Sequence, residues 1–203
     1  MAILEYDLFD EFGNRKYLTV EERQRYFENV ESALPKSLDR EKRTFALLLY
    51  YTGCRISEGL AVANGHIDYS KKGVVFKTLK RRKTIYRFVP LPASFLTKLD
   101  DVHRVKDYQK ERDGKMDPIW PFGRTTAWKI IKAVMDQANI EGVQATPKGL
   151  RHSFVIQHMA LGTPDHMIQR WLGWASRDMM EVYGRATGAE EHDLASKLWE
   201  KEV

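Results

Sequence analysis

A few residues in this chain have the types and spacing to act on a phosphodiester. The run Lys148-Gly149-Leu150-Arg151-His152-Ser153-Phe154 is followed by Leu172-Gly173-Trp174 and, nine residues after the tryptophan, by Tyr183. Upstream, Thr52-Gly53-Cys54-Arg55-Ile56-Ser57-Glu58 supplies a second arginine in a helix-turn context. Arg151 falls in the first turn or so of its expected helix, where free N–H groups and the helix dipole favour an anion. A guanidinium there can grip two phosphate oxygens and stays charged at physiological pH. Arg55 offers the same fork from the opposite side of the fold. Two such clamps would offset the extra charge of a pentavalent phosphorus, at roughly 3–4 kcal/mol for a well-placed donor. Trp174 has only an N–H to give, which suits a non-bridging oxygen. A tyrosine is a weak nucleophile at its ordinary pKa of about 10, so Tyr183 would need a phosphate already neutralised by cations, or a base.

The leaving 5′ oxygen needs a proton, and a lysine at a hairpin tip can reach into a DNA groove to give one. Lys80 is the first choice because it ends a predicted strand; Lys77 and Lys83 are alternatives, and each could be a phosphate contact only. Blander roles exist for every one of these residues. Arg55 could pair with Glu58, Trp174 and Tyr183 could pack in the core, and His152 is expected to make a structural hydrogen bond rather than do chemistry. Cys54 is assigned no role.

The elements that must position these residues are predicted as follows. Thr19-Val20-Glu21-Glu22 is a capping box opening a helix to about Glu31. After a loop from Leu34 to Arg40, a helix over about 41–51 carries Phe45-Ala46-Leu47-Leu48-Leu49-Tyr50 and stops at Gly53. A short helix from Arg55 to Val62 follows. Gly73 to Leu79 and Ile85 to Leu91 alternate with period two around the basic turn Lys80-Arg81-Arg82-Lys83, which predicts a hairpin. Pro90 and Pro92 end it, and a helix over about 94–105 comes next. Residues 106–115 are polar and expected to be mobile. Thr125 or Thr126 should cap a helix to about Asn139, and Thr146-Pro147 one ending near Gly162. Thr163-Pro164-Asp165 repeats that device for a helix to about Gly173, with two more over about 177–183 and 190–201. The expected fold class is mainly α with a small antiparallel β-sheet (α+β).

At 203 residues and 43% hydrophobic content, with a mean hydropathy of −0.50, the chain has the material for one globular domain. No apolar run of membrane-spanning length and no signal sequence appear, so a cytoplasmic protein without membrane contact is expected. A single cysteine excludes an internal disulfide and a multi-cysteine zinc site; no metal or cofactor is expected. Net charge is +5, but residues 71–87 hold eight basic and no acidic side chains, so the remainder carries −3. Such a patch suits a nucleic-acid backbone, with Lys77, Arg81, Arg82, Lys83 and Arg87 as expected DNA contacts.

Taken together these motifs resemble the catalytic domain of the tyrosine recombinases, the phage integrase family. The first arginine motif is matched by Thr52-Gly53-Cys54-Arg55-Ile56-Ser57-Glu58, the hairpin lysine and following strand end by Lys80 and Val89-Pro90-Leu91. Leu150-Arg151-His152-Ser153-Phe154, Leu172-Gly173-Trp174 and Tyr183 complete the order, over Thr19 to Tyr183. The resemblance implies a tyrosine recombinase catalytic-domain fold and attack by Tyr183 on double-stranded DNA, leaving a 3′-phosphotyrosine and a free 5′ hydroxyl. Arg55, Arg151 and Trp174 would hold the phosphate and Lys80 would protonate the leaving oxygen, with Glu58 and His152 in support. It further implies exchange without metal or ATP and four protomers on two DNA sites. A C-terminal helix bearing Leu194, Leu198 and Trp199 could pack on a neighbour, and a partner recombinase or accessory protein could take part.

Two departures stand out. Lys148 sits where the family usually has histidine; it keeps a cation near the phosphate but is a poor base near neutral pH. The family also usually has a separate N-terminal helical core-binding domain, expected to be absent here, with residues 1–18 as an extension and 19–203 as the catalytic domain. The chain would then be either a minimal recombinase, resembling the small fimbrial phase-variation invertases, or a truncated form of a longer one. The competing expectations are a non-catalytic DNA-binding regulator and a type IB topoisomerase-like enzyme that nicks and reseals one strand.

Overall fold

The structure, a computed structural model, describes residues 8–33, 35–36, 38–77, 85–174 and 178–184. The predicted basic turn at residues 80–83 and the predicted helix over 190–201 lie outside the described residues.

Helix α1 (Val20–Glu31) starts at the capping box: the Glu22 N–H donates to Thr19 Oγ1, and the Thr19 N–H donates back to the Glu22 carboxylate. Helix α2 (Arg40–Thr52) buries Phe45 through Leu49 without interruption, so it runs through the middle of the fold rather than along its surface. It ends at Gly53, whose φ of +57° is the left-handed conformation that glycine adopts readily. A side chain there would also strike Phe154, with Cβ 2.8 Å from Cγ. Helix α3 (Ile56–Leu60) follows directly.

The sheet is antiparallel with order β1-β2-β3, from β1 (Ile67–Asp68), β2 (Gly73–Lys77) and β3 (Tyr86–Pro90). In β2 and β3 the expected alternation holds. Val74 faces Val89 and Phe76 faces Arg87, and all four are buried. The two-residue β1 has too few positions to show a period and was not predicted.

Helix α4 (Ala93–His103) is followed at once by α5 (Val105–Lys110). This corrects the expectation of a mobile segment over 106–115. Val105 is fully buried, and Gln109 Nε2 donates to the Asn64 and Ile67 carbonyls at 2.7 and 2.8 Å. Helix α6 (Arg124–Gln137) begins after Gly123 instead of at a threonine cap. Helix α7 (Pro147–Ala160) opens as predicted, with Pro147 first and Thr146 Oγ1 accepting the Gly149 N–H at 3.0 Å. A side chain at position 149 would overlap the Gln144 carbonyl oxygen at 1.9 Å, so only glycine lets α7 sit this close to the preceding turn. Helix α8 (Asp165–Leu172) lacks the expected threonine cap, because the Thr163 hydroxyl is bonded to His158 Nδ1. Helix α9 (Asp178–Gly184) carries the tyrosine.

A main core joins α1, α2, α4, α6 and the sheet; a second, smaller one joins Leu8, Phe154, Val155, Ile156, Ile168, Leu172, Met180 and Tyr183. Residues of α7 belong to both, so this helix and the Arg151 on it are clamped from two sides. Among the described residues no helix is long and apolar enough to cross a membrane.

Candidate active site

The turn after α2 places Arg55 just before α3, where its N–H donates to Glu58 Oε2 at 2.9 Å. Its guanidinium also reaches Glu58 Oε1 at 3.4 Å and keeps 28% of its side chain exposed. Arg151, in the first turns of α7, is buried. Its Nη1 donates to the Gly53 carbonyl at 2.6 Å and its Nη2 to the Leu172 carbonyl at 3.2 Å. Those two carbonyls end α2 and α8, so one side chain ties its own helix, α7, to the ends of two others. Burial lowers the Arg151 pKa to about 10, with Arg55 acting the same way and Glu58 opposing, which still leaves a cation at neutral pH.

Glu58 is the counter-charge. Burial pushes its pKa up, but Arg87 and Arg151 outweigh burial and hold the carboxyl below the usual glutamate range. Arg87, an expected DNA contact, is turned into the protein. The side chain is 5% exposed, with Nη1 and Nη2 on Glu58 at 3.2 and 2.9 Å and Nε on the Trp171 carbonyl at 2.6 Å. Its guanidinium also lies over the Phe76 ring at 4.8 Å. The cause is strand alternation: position 87 shares the inward face with Val89, two residues on.

Gly173 ends α8 and Trp174 follows, its backbone N–H on the Gln169 carbonyl. The Trp174 indole stacks on the Tyr183 ring at 5.3 Å. Tyr183 is 1% exposed, and its hydroxyl is 2.6 Å from His152 Nδ1. Burial, and then Lys148, Arg151 and Lys16, lower the His152 pKa to about 3. The imidazole is therefore neutral near pH 7.

These pieces surround one cleft of about 620 Å³, lined by Arg55, Lys148, Arg151, His152, Trp174 and Tyr183. Lys77 is exposed at the end of β2. Lys80, Arg81, Arg82 and Lys83 lie outside the described residues. The cleft also includes Arg124 and Trp128 of α6, which sequence reasoning missed. A signal was present. The inward stripe of α6 is Ala127, Ile130, Ile131 and Val134, and Trp128 stands off it, 46% exposed.

Two guanidinium forks, a third cation and a tyrosine hydroxyl thus stand around one cleft. The chain belongs to the phage integrase family, whose model matches residues 16–190. It is similar to the tyrosine recombinase XerA of Thermococcus onnurineus, at 28% identity over 78% of this chain and 61% of that protein. The XerA of Pyrococcus furiosus is 30% identical, over 85% of this chain and 58% of that protein. The chain thus spans about three fifths of the length of these relatives. Among solved structures, a crystal structure of XerA recombinase matches with a TM-score of 0.70 at 20% identity, over 89% of this chain and 64% of that one. The XerH site-specific recombinase bound to its difH substrate, in a pre-cleavage complex, matches at 0.70 and 16% identity, over 86% and 55%. At these identities the structural likeness establishes the fold.

Proposed function

We propose that residues 19–203 act as the catalytic domain of a site-specific tyrosine recombinase that cuts and rejoins double-stranded DNA. The observation that carries this reading is convergence. Arg55, Arg151, Trp174 and Tyr183 come from four separate segments and line the same cleft, which simple DNA binding does not require. Tyr183 Oη forms a bond to phosphorus as the bond to the 5′ oxygen breaks, leaving a 3′-phosphotyrosine. The phenolic proton passes to solvent in the cleft, and the 5′ oxygen takes a proton from Lys80, with Lys77 or Lys83 as the alternative acid. Arg55, Arg151 and the Trp174 indole N–H stabilise the charge on the non-bridging oxygens, and Lys148 adds a positive charge at the head of α7. Attack by the 5′ hydroxyl of a partner strand reverses the step on a new end. The phosphotyrosine retains the bond energy, so no ATP is consumed.

Lys77, Arg81, Arg82 and Lys83 would grip the DNA backbone, and Glu58 acts through the arginines it pairs. The working unit would be four protomers on two DNA sites, with the C-terminal helix exchanged and a partner recombinase or accessory protein as a further component. The test is a suicide-substrate assay, in which nicked DNA traps the covalent intermediate on a denaturing gel. Wild-type protein should give a protein–DNA adduct and Tyr183→Phe none, with DNA affinity retained. An adduct that survives Tyr183→Phe would remove Tyr183 as nucleophile.

A further inference from the structure

A histidine is hydrogen-bonded to the candidate nucleophile. His152 Nδ1 lies 2.6 Å from the Tyr183 hydroxyl oxygen, with the rings 5.7 Å apart. Both residues are buried, His152 with 3% and Tyr183 with 1% of its surface exposed. His152 follows Arg151 on α7, the helix held by both cores, so its ring is fixed by the same backbone that aims the phosphate clamp.

The other ring nitrogen decides the direction of this bond. His152 Nε2 is buried and has no hydrogen-bond partner among the described residues. A neutral imidazole carries one N–H. A proton on Nε2 would strand a donor in a dry site, and orphaned buried N–H groups are rare because each costs its full desolvation. A proton on Nδ1 leaves only a bare lone pair at Nε2, makes Nδ1–H the donor to the tyrosine oxygen, and turns the Tyr183 O–H toward the cleft that Tyr183 lines. A second ring proton is disfavoured, first because the ring is buried and then because the charged groups facing it are Lys148 and Arg151 on its own helix and Lys16 from the segment before α1, all cations.

We infer that His152 is a neutral hydrogen-bond donor that fixes the Tyr183 oxygen and stabilises the negative charge it develops, a role resting on Tyr183 being the nucleophile. His152 does not take the phenolic proton. As the Oη–P bond forms and the P–O5′ bond breaks, that proton goes to solvent and His152 ends the step unchanged. When the strand is rejoined, Tyr183 leaves as a phenolate and the same Nδ1–H meets the same charge. One donor therefore serves attack and departure alike.

Two measurements test this. In the wild-type protein, imidazole 15N spectra should show His152, identified by its loss in His152→Asn, with the proton on Nδ1; a proton on Nε2 would overturn the donor role. In single-turnover cleavage of the suicide substrate near pH 7, His152→Leu should be slower by about 10- to 100-fold, the usual worth of a hydrogen bond to a charged atom. DNA affinity should not change, and the deficit should narrow as pH rises. His152→Asn, whose amide N–H can stand near Nδ1, should recover most of the rate. A His152→Leu rate equal to wild type, or a His152→Asn rate as low as that of a donor-free variant, would overturn the inference. If the leucine variant does not fold, the asparagine variant and the wild-type spectrum still decide. Absence of any adduct from wild-type protein would instead refute Tyr183 as nucleophile and leave the donor assignment to the spectrum.

Discussion

Replacing Glu58 with alanine should destabilise the domain by about 3–5 kcal/mol, the scale for stripping one partner from a buried ion pair. The magnitude follows from what the carboxylate holds. Arg87 places both terminal nitrogens on it at 3.2 and 2.9 Å, and Arg151 Nη1 stands 3.9 Å away. Both arginines are buried, so without Glu58 two cations remain in a low-dielectric site with no carboxylate. Glu58→Gln keeps the shape and one acceptor and should lose about 2 kcal/mol, as expected for hydrogen bonds to charged groups. The pH dependence has a definite sign. The folded-state pKa of Glu58 is depressed, so its contribution is complete above the unfolded value of roughly 4.3 and is lost as pH falls through the lower folded value. The gap between wild type and Glu58→Gln should therefore be constant from pH 8 to 5 and close below about pH 4.3. Urea unfolding, extrapolated linearly to water at each pH, measures both quantities. A loss under about 1 kcal/mol for Glu58→Ala, or a gap unchanged through acid, would refute Glu58 as the counter-charge of the site.

Arg151→Lys keeps the charge but cannot span the Gly53 and Leu172 carbonyls and a phosphate together. Single-turnover cleavage should fall by about 10²–10³-fold with DNA affinity nearly retained. Salt titration of DNA binding should separate the two basic residues that charge counting grouped. Lys77→Ala should reduce the slope of log affinity against log salt by about 0.9, the value for one phosphate contact. Arg87→Ala should leave that slope unchanged and show its effect in unfolding, because its guanidinium is committed to Glu58.

How much was legible depended on how local the cause was. The capping box at Thr19 and the cap at Thr146 act over three residues, and both helices begin where the sequence indicates. Thr163 carries the same signal, yet its hydroxyl is claimed by His158, five residues back on α7. Helix α5 has a polar composition that argues for a loop. Its anchor is Gln109, bonded to carbonyls 45 and 42 residues earlier, and no local window contains that information. Arg87 was grouped with the hairpin cations by charge, although the alternation that places Val89 inward also places Arg87 inward. The arginines, Trp174 and Tyr183 were identifiable as candidates because their residue types limit the chemistry they can do. The bond between His152 and Tyr183 spans 31 residues and appears only when α9 is laid against α7.

The most direct measurement is to map the covalent link itself. Wild-type protein trapped on a nicked suicide substrate would be digested, and the nucleotide-bearing peptide sequenced by mass spectrometry. The account predicts a single phosphodiester on the Tyr183 oxygen, joined to the 3′ end of the cut strand. A nucleotide on any other residue, a 5′ linkage, or DNA bound without a covalent product would contradict it.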